Sequence, residues 1–249
     1  MTQKDKQQGI VIAHRGASAY APENTLPAMR LAHEKGAHWV ECDVVLSADG
    51  QPYIFHDERL ERTSTGHGNI ATTSSDCLNQ LDAGSWFSER YAGTPIPTLS
   101  ALLCDLKSLK LGLNLELKPA DQRYDLLVNQ VVALLEDLWT TDAPPCLLSS
   151  FSLPCLKAAH SAAPHIPRAL LLNRWQPLWQ TSADRYDCIG IHLPQRAVTE
   201  KRVAEIKASG RFVGVYTVNA RQEAEKLFAW GVDRVFSDYP DLMEDDHDL

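Results

Sequence analysis

Apolar and polar positions follow two rhythms along this chain. Short apolar runs rich in Val, Ile and Leu recur between longer stretches in which apolar residues return every three or four positions. The first rhythm predicts buried strands and the second predicts helices with one apolar face. Strands are predicted over residues 9–13, 38–46, 111–118, 146–151, 168–172, 188–192, 212–218 and 234–237. A further extended piece over 52–55 follows the tight turn at Asp49-Gly50. Helices are predicted from Asn24, as N-cap, to Gly36, and over 98–106, 124–139, 153–162, 177–183, 199–209 and 221–230. Nearly every strand is followed by a helix, and 249 residues suit an α/β fold of the TIM (β/α)8 barrel type. A doubly wound open sheet is the alternative, but no G-x-G-x-x-G follows the first strand.

The pattern lapses over residues 58–97, which are rich in Ser, Thr, Gly and Asn and carry Trp86, Phe87 and Tyr91 near their end. An irregular segment of that length is usually functional or a small subdomain, and its aromatics predict that it packs. With no internal repeat or linker, residues 1–249 read as one catalytic barrel domain with a small insertion at 58–97, after the second strand region.

Acids interrupt these strands in a telling way. In the strand over 38–46, Glu41 and Asp43 stand two residues apart and therefore on one face. Two carboxylates at about 4 Å repel by roughly 4 kcal/mol at an effective dielectric near 20, so an apolar strand needs a cation beside them. One acid facing a basic partner and the other facing solvent would also meet that need. The strand over 111–118 repeats the device with Glu116 and Lys118. In a barrel the active site lies at the C-terminal ends of the strands. That mouth would collect His14, Arg15, Glu41, Asp43, His56, Glu116, Lys118, His192, Tyr216 and Asp238.

Each residue type has a use there. Three carboxylates, without a Cys or His cluster at zinc spacing, suit a hard divalent metal, Mg²⁺ or Ca²⁺. His14 and His56 can serve as catalytic acid and base. Arg15 and Lys118 can hold a phosphate. Taken singly, His14 could be a core histidine and Lys118 a mere partner of Glu116; their convergence points to cleavage of a phosphate ester. Ser149-Ser150 lacks a G-x-S-x-G elbow and is not read as a nucleophile. His33, His67, His160, His165 and His247 fall in helical or loop positions and are expected at the surface.

Composition narrows the class. The formal net charge of −8 argues against nucleic-acid or anionic-membrane partners, and Glu244-Asp245-Asp246 reads as a solvated acidic tail. The N-terminal residues are polar and lack an apolar signal-peptide core, and no stretch is long enough to span a membrane. Six cysteines without a C-x-x-C pair fit a reducing compartment, so a cytoplasmic location is expected.

In motif and order, His14-Arg15-Gly16, Pro22-Glu23-Asn24-Thr25, Glu41-x-Asp43, His56-Asp57 and Glu116-x-Lys118 resemble the glycerophosphodiester phosphodiesterases, and look closest to the bacterial cytoplasmic enzyme. Tyr216-Thr217-Val218-Asn219 and Gly231-Val232-Asp233 extend the similarity, which runs from residue 10 to 240. The resemblance implies a TIM barrel whose insertion helps cover the site. It implies Glu41, Asp43 and Glu116 as metal ligands, His14 and His56 as the acid–base pair, and Arg15 and Lys118 as phosphate contacts. Glu23 and Asn24 would order the first loop, with Glu23 near the metal shell, and His192 and Tyr216 would contact substrate. The reaction implied is metal-dependent hydrolysis of a glycerophosphodiester, such as glycerophosphocholine or glycerophosphoethanolamine, to sn-glycerol 3-phosphate and an alcohol. In the family the substrate's own hydroxyl can attack first and give a cyclic phosphate. An aromatic that is often Trp in the family is Tyr216 here, a departure that bears on how glycerol packs.

Two other readings stand beside this one. A lysophospholipase D-like phosphodiesterase would need access to a lipid tail, which the acidic charge and missing membrane-docking stretch disfavour. A non-catalytic metal- or phosphate-binding module would not need both histidines.

Overall fold

In a computed structural model, which describes residues 9–244, the apolar runs close into a barrel. Its strands are β1 (Ile10–His14), β2 (Trp39–Leu46), β4 (Gly112–Leu117), β5 (Cys146–Ser150), β6 (Arg168–Leu171), β7 (Cys188–Pro194), β8 (Phe212–Tyr216) and β9 (Arg234–Ser237), with β3 (Pro52–Ile54) beside them. Neighbours pair in parallel in the order β1-β2-β4-β5-β6-β7-β8-β9, and β9 pairs back onto β1. The extended piece β3 runs antiparallel to the end of β2 and stays outside the ring. The helices are α1 (Leu26–Glu34), α2 (Ser75–Leu78), α3 (Leu99–Leu109), α4 (Tyr124–Leu138), α5 (Leu153–Ala162), α6 (Trp179–Arg185), α7 (Glu200–Ala208) and α8 (Arg221–Ala229). Residues 1–8 and the acidic Asp245 and Asp246 lie outside the described residues, as does His247.

Strand alternation divides the labour. Val40, Cys42 and Val44 of β2 and Leu113, Leu115 and Leu117 of β4 face outward, into a core shared with Leu99, Leu102, Leu103 and Leu106 of α3 and Val128 and Val131 of α4. Ile191, Leu193, Val213, Val215 and Val235 do the same on the other half, against Val203, Ile206 and Leu227. Each such burial contributes about 1.5–3 kcal/mol. The intervening positions point into the barrel, so the acids of β2 and β4 are held on rigid backbone. Deep in the barrel, the Arg234 guanidinium lies 4.3 Å from the Phe212 ring and 4.9 Å from the Trp39 ring. Beside it Gly214 gives room to the His192 and Phe236 rings.

The starts of α1, α3, α5 and α7 are capped by hydroxyls: Thr25, Thr98, Ser152 and Thr199 each accept from a backbone N–H in the first turn. This corrects the N-cap expected at Asn24. Asn24 instead takes a left-handed backbone (φ 58°), and its side chain turns into the barrel. The insertion has its own small core, in which Leu60, Ile70, Leu78, Ala83 and Ile96 meet Val45, Tyr53 and Phe55. Its aromatics pack edge to face, Trp86 on Phe87 and Phe87 on Tyr91, and the Tyr91 hydroxyl donates to the Tyr20 carbonyl at 3.2 Å.

A Cβ at residue 214 would sit 2.6 Å from His192 and 3.0 Å from Phe236. Gly214→Ala is therefore expected to lower stability by about 1–3 kcal/mol in urea unfolding, as overpacked core sites do.

Candidate active site

The site begins with register. Across the β2–β4 ladder Asp43 lies opposite Glu116, and across β1–β2 His14 lies opposite Glu41. Glu41, Asp43 and Glu116 are all buried and place carboxylate oxygens within 4.8 Å of one another. Burial, then the neighbouring Asp43 and Glu116 charges, pushes the Glu41 carboxyl well above its usual range. Burial and the Asp43 charge push Glu116 up to about 7. Burial opposes ionisation of Asp43 too, but Lys118, Arg15, His56 and the Asn24 amide together hold it below the ordinary value. Lys118 Nζ lies 3.5 Å from Asp43 and 3.6 Å from Glu116.

The turn after β1 supplies the next groups. Arg15 adopts a left-handed backbone (φ 57°), and its N–H donates to Glu41 Oε2 at 3.1 Å. Gly16 follows at φ 82°, where a Cβ would lie 2.7 Å from the Ala28 backbone, so only glycine lets the turn rest on α1. The Arg15 side chain reaches Glu23 at 2.7 Å and Asp43 at 3.4 Å. Asn24 clamps Asp43 twice, donating to its carboxylate at 2.8 Å and accepting from its backbone N–H at 3.2 Å. Glu23 is held by two arginines: Oε1 accepts from Arg15 and Arg62, and Oε2 from Arg62.

Both histidines are backed by carboxylates. His14 Nδ1 lies 2.7 Å from Asp238 Oδ1, and Asp238 is itself fixed by Asn219 at 2.6 Å and Ser18 at 3.0 Å. Burial would raise the Asp238 carboxyl, but His14, Asn219 and Ser18 together pull it down to about 2. His56 Nδ1 lies 2.6 Å from Asp57 Oδ1. Burial lowers the His56 pKa, Arg15 and Lys118 add to this, and the Asp43 and Asp57 carboxylates only partly compensate. With Nδ1 engaged, each ring keeps Nε2 for proton transfer.

These groups share one cavity of about 570 Å³, lined by His14, Arg15, Glu41, His56, Glu116 and Lys118 on the polar side. Phe151, Leu171, Pro194, Tyr216 and Phe236 form an apolar wall. Tyr216 packs edge-on against Phe151 and donates its hydroxyl to the Leu172 carbonyl at 2.7 Å. His192 also borders the cavity but is buried, and burial followed by the Arg234 charge drops its pKa to about 3, so it is neutral there.

Other residues of the site were not singled out from sequence. Asn114 borders the cavity, buried, with its amide N–H donating to Ser149; its place on the face of Glu116, two residues on, was a readable signal. Ser149 and Ser150 are buried structural groups, the latter donating to the Leu117 carbonyl. Arg62 lies in irregular chain, where no periodicity marks it. Of the histidines expected at the surface, His33, His67 and His165 are exposed and His160 is half-buried.

The match to known proteins agrees with this geometry. The glycerophosphoryl diester phosphodiesterase family model matches residues 14–242. A glycerophosphodiester phosphodiesterase of Bacillus subtilis (strain 168) is 31% identical over 94% of this chain and 85% of its own. An Oleispira antarctica phosphodiesterase, solved in complex with the product sn-glycerol-3-phosphate, superposes with a TM-score of 0.91 at 41% identity, covering 95% of this chain and 96% of that one. A glycerophosphodiester phosphodiesterase structure from Agrobacterium tumefaciens gives 0.78 at 29% identity, over 94% and 98%. The chain belongs to the glycerophosphoryl diester phosphodiesterase family of hydrolases.

Proposed function

We propose that this chain hydrolyses small glycerophosphodiesters, such as glycerophosphocholine or glycerophosphoethanolamine, to sn-glycerol 3-phosphate and an alcohol. The observation that carries this is a buried carboxylate triad, of which Glu41 and Glu116 line one cavity together with two carboxylate-backed histidines. The product bound by the Oleispira antarctica relative supports the choice of substrate. The reading takes the barrel and its 58–97 insertion as a single catalytic unit. It also places the protein in the cytoplasm, in keeping with its six free cysteines.

The donor set fits Mg²⁺ or Ca²⁺: three carboxylates, all oxygen, buried and convergent. Glu41, Asp43 and Glu116 would hold the ion, which when bound would polarise a phosphoryl oxygen and stabilise the negative charge on the phosphoryl oxygens. Arg15 and Lys118 add positive charge where the phosphate would lie. Its lowered pKa keeps His56 unprotonated at neutral pH, and suits it to take the proton from the attacking hydroxyl, whether of water or of the substrate's own glycerol. His14 then donates a proton to the departing alkoxide oxygen, with Asp238 steadying the ring as charge moves through it. The wall of Phe151, Tyr216 and Phe236 would pack the glycerol carbons, and neutral His192 and the first-loop residues Glu23 and Asn24 would shape the pocket around it.

After stripping with EDTA, the protein is expected to release no sn-glycerol 3-phosphate from glycerophosphocholine until Mg²⁺ or Ca²⁺ is restored. A coupled dehydrogenase assay reads this, and full activity without metal would contradict the reading. Greater turnover of micellar lysophosphatidylcholine would favour the lysophospholipase D-like alternative. Product-free binding of glycerophosphocholine with metal supplied would favour a binding module.

Metal affinity should rise with pH through neutrality. Glu116 has its carboxyl raised to about 7, so below that pH the ion must displace a proton. Calorimetry at pH 6.5 in buffers of different ionisation enthalpy should show proton release on metal binding, shrinking by pH 8.5. His14→Ala and His56→Ala should each cut kcat by about 10²–10⁴-fold while metal binding persists.

A further inference from the structure

We propose that Arg62, contributed by the insertion, is a positioning residue that locks Arg15 and His56 into one working arrangement. The inference rests on the reading of those two residues given above. Every nitrogen of the Arg62 guanidinium is used. Nη1 and Nη2 donate to the two oxygens of Glu23 at 2.8 Å each, and Nε donates to Asp57 Oδ2 at 2.5 Å. The far side of each carboxylate holds a group of the site. Glu23 Oε1 accepts from Arg15 Nη1 at 2.7 Å, and Asp57 Oδ1 lies 2.6 Å from His56 Nδ1. The continuous chain is Arg15–Glu23–Arg62–Asp57–His56, and it spans the loop after β1, the loop after β3 and the insertion.

Geometry makes this an arginine's task. The planar fork engages one carboxylate with two parallel bonds while its Nε addresses a second carboxylate, whereas a lysine ammonium is a single point. Arg62 is nearly half exposed, so as a salt bridge alone it would contribute little to stability. Its effect falls on placement. Without Arg62, Glu23 is free to draw Arg15 away from the phosphate, and the Asp57 carboxylate can rotate and take the His56 ring with it. Misplacing a catalytic group by about 1 Å can cost about 10²-fold in rate. The insertion therefore supplies more than cover: through Arg62 it fixes two groups of the site.

The test compares wild type, Arg62→Met and Arg62→Lys for turnover of glycerophosphocholine with metal supplied, for calorimetric binding of sn-glycerol 3-phosphate, and for thermal melting. Arg62→Met should lose about 10²-fold in kcat/KM and bind the product about tenfold more weakly, with melting little changed; tenfold is the loss on the order expected when an outer-shell partner is removed. Arg62→Lys should recover only part of both. The Arg62→Met/Asp57→Asn double variant should lose less than the product of the two single losses, because the two share their action on the His56 ring. Near-wild-type kcat/KM and product affinity in Arg62→Met would overturn the proposal, as would losses that multiply in the double variant. If Arg62→Met fails to fold, Arg62→Lys decides by the same two readouts. Should wild type turn over no glycerophosphodiester, the functional reading fails, while product affinity still judges Arg62.

Discussion

Three buried carboxylates with oxygens inside 4.8 Å of one another set the terms for the rest of this barrel. At that separation each ionised pair repels by roughly 3 kcal/mol at an effective dielectric near 20. The structure answers with cations and donors from every direction: the Lys118 ammonium, the Arg15 guanidinium and backbone N–H, and the Asn24 amide. Glu41 and Glu116 still keep raised pKa values, chiefly through burial and then through the neighbouring carboxylates. Barrel architecture makes the arrangement durable, because the acids stand on hydrogen-bonded strands whose outward faces are anchored in helices.

Around this centre the two histidines differ by their surroundings. Both have Nδ1 tied to a carboxylate, which fixes the ring and presents Nε2. His14 is backed by Asp238, at the end of the last strand, which is held in turn by Asn219 and Ser18. His56 is backed by Asp57 on a loop, and that loop is secured by Arg62. One histidine is thus braced by the barrel itself and the other by the insertion. Two similar side chains are in this way held by different parts of the fold.

Much of this was legible in the chain. Period-two strands placed Glu41 with Asp43, and Glu116 with Lys118, because strand geometry alone fixes which side chains share a face. The strand-helix alternation carried the barrel, since each element's apolar face shows in its spacing. Asn24 was misread because an amide before a helix usually caps it; here Thr25 caps, and Asn24 is drawn off by a carboxylate 19 positions away in sequence. Arg62 was invisible for a related reason. Its partners are brought together only by the closed fold, and the irregular insertion has no period to reveal an inward face. Long-range polar bonds leave little trace in local pattern.

The central claim is that the triad binds a hard divalent ion. Equilibrium dialysis of metal-stripped protein against Mg²⁺ or Ca²⁺ tests it most directly, with Glu41→Gln in parallel and folding checked by circular dichroism. One ion retained per wild-type chain, and loss of that ion in the folded variant, is the result predicted. No ion retained by wild type, or equal retention by the variant, would contradict the account.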